Sequence, residues 1–342
     1  VLASDDLQQL KNQIQCWSTE LGFDGIGISD TEISASEQYL FSWLKGGCNG
    51  EMSYLARHGT RRSRPAELIP GTIRVISVRM NYWRDTASSA TAILSDPEAA
   101  YISRYALGRD YHKIMRKKLQ QLADRITSEV EGFQFRAFVD SAPVMEKPLG
   151  VKSGLGWMGK HTNLIDRDTG SWFFLGELYT DLPLPFDTPQ KDNCGSCTQC
   201  IAACPTNAIT APYELDARLC ISYLTIEHKG SVPEPLRALI GNRIFGCDDC
   251  QLVCPWNRDA AQSQLNDFAP RHDLDASTLI ELFQWNESEF DRKTTGGPIR
   301  RAGYECWLRN LAIALGNAPT SKRVTDTLML RINHPSPLVR EH

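Results

Sequence analysis

The chain has 342 residues, 42% hydrophobic and 23% charged, with 37 Lys and Arg against 41 Asp and Glu for a net charge of −4. That balance excludes a disordered tail protein and a globally basic nucleic-acid binder, while leaving room for a local basic patch. The length predicts two or three domains, each able to bury a core, and no apolar run approaches the roughly 18 residues of a spanning helix.

The opening "VLASDDLQQL" has neither a basic n-region nor a twin-arginine signal, so a soluble cytoplasmic protein is expected. The missing initiator Met and the end at "PSPLVREH" suggest a shortened polypeptide. Leu7, Leu10, Ile14, Trp17 and Leu21 recur at three and four, predicting an amphipathic helix over 5–21. A strand "DGIGIS", a helix near 34–45 and the basic stretch "ARHGTRRSRPAELIPGT" follow. "TIRVISVRMNYW" alternates and is β-branched, as a strand would be. The clearest helix covers 110–131, with Met115, Leu119, Leu122, Ile126 and Val130 on one face. "FRAFVDSAP" reads as a strand ending at Asp140, and "TNLI" and "SWFFLGELYT" as two strands joined through "DRDTG". "DLPLPFDTPQ" is a proline-rich linker, and beyond Pro270 the chain turns helical. Trp307, Leu311 and Leu315 lie at helical spacing, and a second helix begins at "SKRVTDTLMLRI", the pattern of an α-solenoid pair.

Eight of the eleven cysteines fall within 61 residues, a density that scattered disulfides do not produce. "CGSCTQCIAACP" has the C-x2-C-x2-C-x3-C-P spacing whose last Cys ligates the other cluster of a two-cluster ferredoxin. On that rule Cys194, Cys197 and Cys200 serve one cluster and Cys204 crosses over. "CDDCQLVCP" supplies Cys247, Cys250 and, crossing back, Cys254. One ligand is missing from the second set, and Cys220 in "DARLCISYL" is the nearby thiol that completes it. A zinc ribbon on Cys194/Cys197 and Cys247/Cys250 would leave four cysteines idle. Cys16, Cys48 and Cys306 stand alone and read as semi-buried thiols.

"GLGWMG" matches G-x-G-x-x-G but lacks the strand before and the helix after that a dinucleotide site needs. With Lys160 and His161 behind it, the loop still suits close backbone approach to a large anionic or amide-bearing ligand. "DYHKIM" begins like a cobalt-ligating D-x-H-x-x-G run without its glycine, and His112 reads as a surface residue of the helix. Asp140, at a strand end, is a candidate desolvated general acid, against the blander role of a turn or helix cap. Arg57, Arg61, Arg62, Arg64 and a tail carrying nine Lys/Arg against four Asp/Glu over 291–342 form basic clusters that suit an RNA backbone. Arg309 belongs to the second cluster.

"FVDSAP", "GLGWMGKH", "GSWFFLGEL", "CGSCTQCIAACPTNAI", "CISYLTIE", "GNRIFGCDDCQLVCPWN" and "WLRNLAIALGN" occur in one order, and with them the chain resembles the epoxyqueuosine reductases over nearly its whole length. The resemblance implies an α/β cobalamin-binding domain similar to nitroreductases over 1–185. It implies a ferredoxin-like domain with two [4Fe–4S] clusters over 186–260 and a HEAT-like, tRNA-contacting helical tail over 261–342. The implied reaction is reduction of the epoxide of epoxyqueuosine at the wobble position of tRNA, fed by an unidentified low-potential donor, with cobalamin lacking a lower His ligand. It assigns Asp140 as proton donor, and Arg64, Lys160, His161, Ser222 and Tyr223 to contacts with cobalamin or tRNA. Two other classes share parts of this pattern. A reductive dehalogenase relative would have the same cofactors, usually behind a twin-arginine signal, and a plain iron–sulfur carrier would leave the first 185 residues without work.

Overall fold

The computed structural model describes residues 3–84, 86 and 88–342. Its strands in chain order are β1 (Gly25–Ser29), β2 (Arg74–Asn81), β3 (Tyr101–Ile102), β4 (Phe135–Val139), β5 (Trp157–Met158), β6 (Leu164–Ile165), β7 (Phe173–Thr180), β8 (Ile209–Ala211), β9 (Glu214–Leu215) and β10 (Arg243–Phe245). The main sheet has the order β1-β2-β7-β4 with every pair antiparallel, so the expected mixture of helix and sheet is present without a parallel core.

β7 lies inside that sheet because it is buried on both faces, seven of its eight residues being buried. The hairpin expected between "TNLI" and "SWFFLGELYT" is therefore absent. β6 pairs with β5 instead, inside the glycine loop, and a single bridge from Asp166 to Gly170 is all that links the two segments. The glycines of that loop serve the chain itself. Gly154 has φ 77°, and a Cβ there would sit 2.6 Å from the Thr188 carbonyl oxygen; one on Gly156 would sit 2.3 Å from that of Ile165.

Strand alternation divides the sheet into two unlike faces. Ile28, Ile76, Val78, Met80 and Leu178 meet Leu10 and Ile14 of the helix Ser4–Glu20 and Met115, Leu119, Leu122 and Ile126 of the helix Tyr111–Glu129 in one apolar core. The opposite face carries Ser77, Arg79 and Glu177 and is covered by the short helix Glu146–Lys152. That cover is close: a Cβ on Gly27 would lie 2.0 Å from the Ser153 carbonyl oxygen.

The tail is built around the helix Tyr304–Asn317, in which every residue from Cys306 to Leu315 is buried. It is thus a central helix, apolar neighbours surrounding it, rather than the amphipathic surface helix of a pair. Arg309, expected at a phosphate-contacting surface, is wholly buried and donates to the backbone oxygens of Leu224, His228 and Gly230. Arg62 is likewise spent on the carbonyls of Tyr54 and Leu55. Ala100, Ile102, Ala106 and Leu107 join this tail core, and β3 pairs in parallel with β10, so the segment around 99–107 packs with the C-terminal region. Each cysteine run leads into a short helix, Gln199–Ala202 and Asp249–Leu252, and the two helices pack on each other. Among the described residues no helix is long and apolar enough to cross a membrane.

Candidate functional site

Asp140 follows directly on β4, and its carboxylate is engaged by the start of the neighbouring helix. The hydroxyl of Tyr111 donates to Oδ2, and Nε2 of His112 stands 2.7 Å from Oδ1. His112 places its other nitrogen, Nδ1, 2.7 Å from Asp110 Oδ1. Asp110 caps this helix through the His112 backbone N–H. Arg301, from the tail, approaches Asp110 at 3.2 Å and His112 Nε2 at 2.9 Å. Tyr111 is fixed by parallel stacking on Phe174, ring centres 3.9 Å apart. Burial works against the charged imidazole, but hydrogen bonds to Asp110 and Asp140 outweigh it and raise its pKa. Burial also opposes the charge of Asp110, yet His112 and Arg301 bring that carboxyl down to about 2. Donating to both carboxylates calls for a doubly protonated ring, which the Arg301 guanidinium, itself only a donor, opposes at Nε2.

Asp140 itself is 36% exposed, so the desolvation expected there does not occur, and it caps no helix; Met145 is the N-cap of Glu146–Lys152. His112, expected at the surface, is 6% exposed. A signal for it was present: His112 lies three residues before Met115 and seven before Leu119, on the apolar stripe.

Asp140 opens on a cavity of about 360 Å³ that is also lined by Cys204, Cys220, Cys247 and Cys250. Cys194, Cys197, Cys200 and Cys254 ring a second cavity of about 240 Å³. The pairs Cys194/Cys197 and Cys247/Cys250 thus belong to different cavities, which disposes of the zinc ribbon. Among the described residues no three His, Cys, Asp or Glu side chains converge as one metal ion requires; the thiols surround space instead. Burial leads in pushing Cys200, Cys220, Cys250 and Cys254 up, Cys254 to about 11, and neighbouring thiols add to it in each case. Four crowded, desolvated thiols fit an electropositive iron–sulfur core that would hold them as thiolates.

The second cysteine run is anchored by its own acids. Buried Asp248 accepts from Tyr101 Oη at 2.7 Å, Ser103 Oγ at 2.6 Å and the Arg104 N–H at 2.8 Å. Asp249 pairs with Arg243 at 2.5 Å and accepts from Cys247 Sγ at 2.8 Å. Glu146 and Lys147, at the start of the covering helix, also line the Asp140 cavity. Sequence reasoning passed over Tyr111, Glu146, Lys147 and Asp248, since nothing in their local spacing marks them.

The remaining candidates scatter. His161 lines both cavities and is 3% exposed; burial, then Lys147, lower its pKa to about 4, so the ring is neutral. Its Nδ1 accepts from the Asn163 N–H, and Nε2 has no partner. Lys160 donates to the carbonyls of Gly195 and Cys197 at 2.6 and 2.9 Å, holding the first cysteine loop. Ser222 lines the Asp140 cavity, whereas the Tyr223 hydroxyl accepts from the Glu51 N–H elsewhere. Arg64 is exposed and paired with Glu37 and Glu67 at 2.9 Å, away from the residues that line the Asp140 cavity. A third, largely apolar chamber of about 570 Å³, with Tyr39, Leu40, Trp43, Met145 and Met158, shares Lys147, Thr162 and Leu215 with the Asp140 cavity.

Comparison with known proteins gives a consistent result. Residues 62–141 match the family described as "Epoxyqueuosine reductase QueG, DUF1730", and residues 193–257 match the 4Fe-4S double cluster binding domain. The chain is 57% identical to the epoxyqueuosine reductase of Pseudomonas aeruginosa over 342 residues, covering 100% of this chain and 94% of that protein. It is 53% identical to that of Escherichia coli, covering 98% and 88%. A crystal structure of epoxyqueuosine reductase with an epoxyqueuosine-modified tRNA stem loop superposes with TM-score 0.88 at 28% identity, covering 97% of this chain and 88% of that one. The Bacillus subtilis enzyme, with an aspartate-bearing catalytic loop swung out of its active site, superposes with TM-score 0.87 at the same identity and coverage.

Proposed function

The chain belongs to the epoxyqueuosine reductase family, and on that premise we propose that it reduces the epoxide of epoxyqueuosine, at the wobble position of tRNA, to the alkene of queuosine. The observation that carries the reading is Asp140, held by Tyr111 and His112 and open to the same cavity as Cys204, Cys220, Cys247 and Cys250.

Cys194, Cys197, Cys200 and Cys254 would hold one [4Fe–4S] cluster, and Cys204, Cys220, Cys247 and Cys250 the other. The Asp140 cavity and the apolar chamber that shares its walls fit cobalamin, an extended macrocycle with amide arms. The chamber offers Trp43, Met145 and Met158 to its hydrocarbon, and Lys147, His161 and Ser222 stand at the polar side. When bound, these groups supply two electrons at low potential. The protein's own part is protons and position. Tyr111, its pKa raised by burial and the charge of Asp140, keeps its proton and orients Oδ2. His112 orients Oδ1, so that a proton taken up by Asp140 is presented to the departing oxygen, a poor leaving group until protonated.

Exposed Arg292, Arg300, Arg301, Lys322, Arg323 and Arg340 give the tail the charge to meet tRNA phosphates. The nitroreductase-like character of 1–185, the ferredoxin-like 186–260, the HEAT-like character of 261–342, a cytoplasmic location and a low-potential electron donor belong to this reading. The test is Asp140→Ala. The variant should keep about eight iron atoms, as two cubanes require, and its corrin spectrum, yet lose roughly a hundredfold or more in conversion of epoxyqueuosine tRNA. Full turnover would remove Asp140 from the chemistry.

A further inference from the structure

Turning an epoxide into an alkene breaks two C–O bonds, forms one C=C bond and releases the oxygen as water. The balance is two electrons and two protons per epoxide, the electrons coming from the low-potential donor of the proposed reaction. One carboxyl group delivers one proton, so a site with Asp140 alone must wait for solvent to recharge it before the oxygen can leave as water.

We propose that Glu146 is the second proton donor, delivering into the cavity it shares with Asp140 the proton that completes water; the inference rests on the epoxide-reducing function proposed above. Glu146 opens the helix that covers the polar face of the sheet, lines the same cavity, and has its Oε2 sealed from solvent with no hydrogen-bond partner. A carboxylate so placed would be uncompensated, whereas a carboxylic acid is at home there. Its charged and titratable surroundings are Lys147 on its own helix, His112 and Tyr111 on the facing helix, Asp140 beyond β4, and Glu177 on β7. Lys147 is turned to the Thr162 carbonyl at 2.9 Å and Asn163 Oδ1 at 3.0 Å. Burial first, then the charge of Asp140, raise Glu146 to about 8, against the smaller pull of Lys147 and His112. Behind it, Glu177 is fully buried with both carboxyl oxygens unpartnered, and burial leads in raising its pKa well above the ordinary carboxylate value. An acid that is protonated at neutrality therefore faces the reaction space beside an aspartate that is open to water.

The experiment is single turnover of an epoxyqueuosine-bearing tRNA stem loop by the cluster- and corrin-loaded protein under excess low-potential reductant, followed across pH. The unmodified protein should lose rate on the alkaline side with a midpoint near 8. Glu146→Gln should be slower by roughly a hundredfold and should lack that alkaline limb. A rate and profile equal to the unmodified protein's overturn the inference, and so does a slower variant that keeps the limb, since that is a structural defect. Should Glu146→Gln not fold, infrared titration of the unmodified protein decides. A protonated-carboxyl stretch that vanishes near pH 8 and persists in Glu177→Gln supports Glu146, and its absence at neutrality overturns it. Unmodified protein that leaves the epoxide untouched overturns the functional reading itself. Unmodified turnover beside an unaffected Glu146→Gln overturns this inference alone.

Discussion

The two cysteine cavities each offer four thiols, in very different surroundings. Around Cys194, Cys197 and Cys200 the chain is solvated: Gly195, Ser196, Thr198 and Gln199 are exposed, and Lys160 is what ties the loop down. Around Cys247 and Cys250 the chain is buried, Asp248 is fastened by three hydrogen bonds, and the cavity faces Asp140 and Glu146. One local motif thus acquires two characters from what other elements bring to it. The first site is bordered by exposed chain, and the second is joined to the proton chemistry.

The sharpest way to break this contrast is Cys220→Ala. It should lower bound iron from about eight to about four atoms and abolish reduction of the epoxide, as read by iron analysis and single turnover. The anchors should differ next. Asp248→Ala leaves the Tyr101 and Ser103 hydroxyls and the Arg104 N–H without their acceptor inside the protein. It should cost about 2–4 kcal/mol in chemical denaturation, whereas Lys160→Met, at the solvated loop, should cost under about 1.5 kcal/mol and show chiefly as faster loss of iron to a chelator. Equal losses from the two variants would erase the distinction.

A further contrast lies in pH dependence. Folded Glu146 titrates at about 8, above its ordinary 4.5. Between those values the folded chain keeps a proton that the unfolded chain gives up, so stability falls as pH rises through that window. Glu146→Gln should flatten this part of the slope in thermal melts, with its largest relative gain near pH 8; an unchanged slope would place the buried proton elsewhere.

Local spacing carried much of the reading. Helix Tyr111–Glu129 follows from a three-to-four period that burial enforces residue by residue, whereas strand Arg74–Asn81 follows from its β-branched alternation although both its faces are buried. The cysteine spacing separated Cys204 from Cys200 and allotted Cys254 to the first run, and the thiols lie on two cavities divided along that line. Asp140 was visible as a strand-end acid, though for the wrong physical reason: hydrogen bonds from Tyr111 and His112 hold it, and burial does not. Arg309 shows the limit from the other side, because a charge count cannot distinguish a surface guanidinium from one that closes three buried carbonyls.

By itself the sequence determined which segments become helix and strand, which thiols can share an inorganic core, and that the tail is basic, since each depends on residue type at short separation. Only the tertiary structure decided that β6 pairs with β5 and leaves β7 to the sheet centre, that Arg301 reaches Asp110 across 191 positions, and that Glu146, one carboxyl oxygen shut from solvent, shares a cavity with Asp140. Those outcomes depend on desolvation and on partners distant in the chain, and neither can be read from a residue's neighbours in sequence.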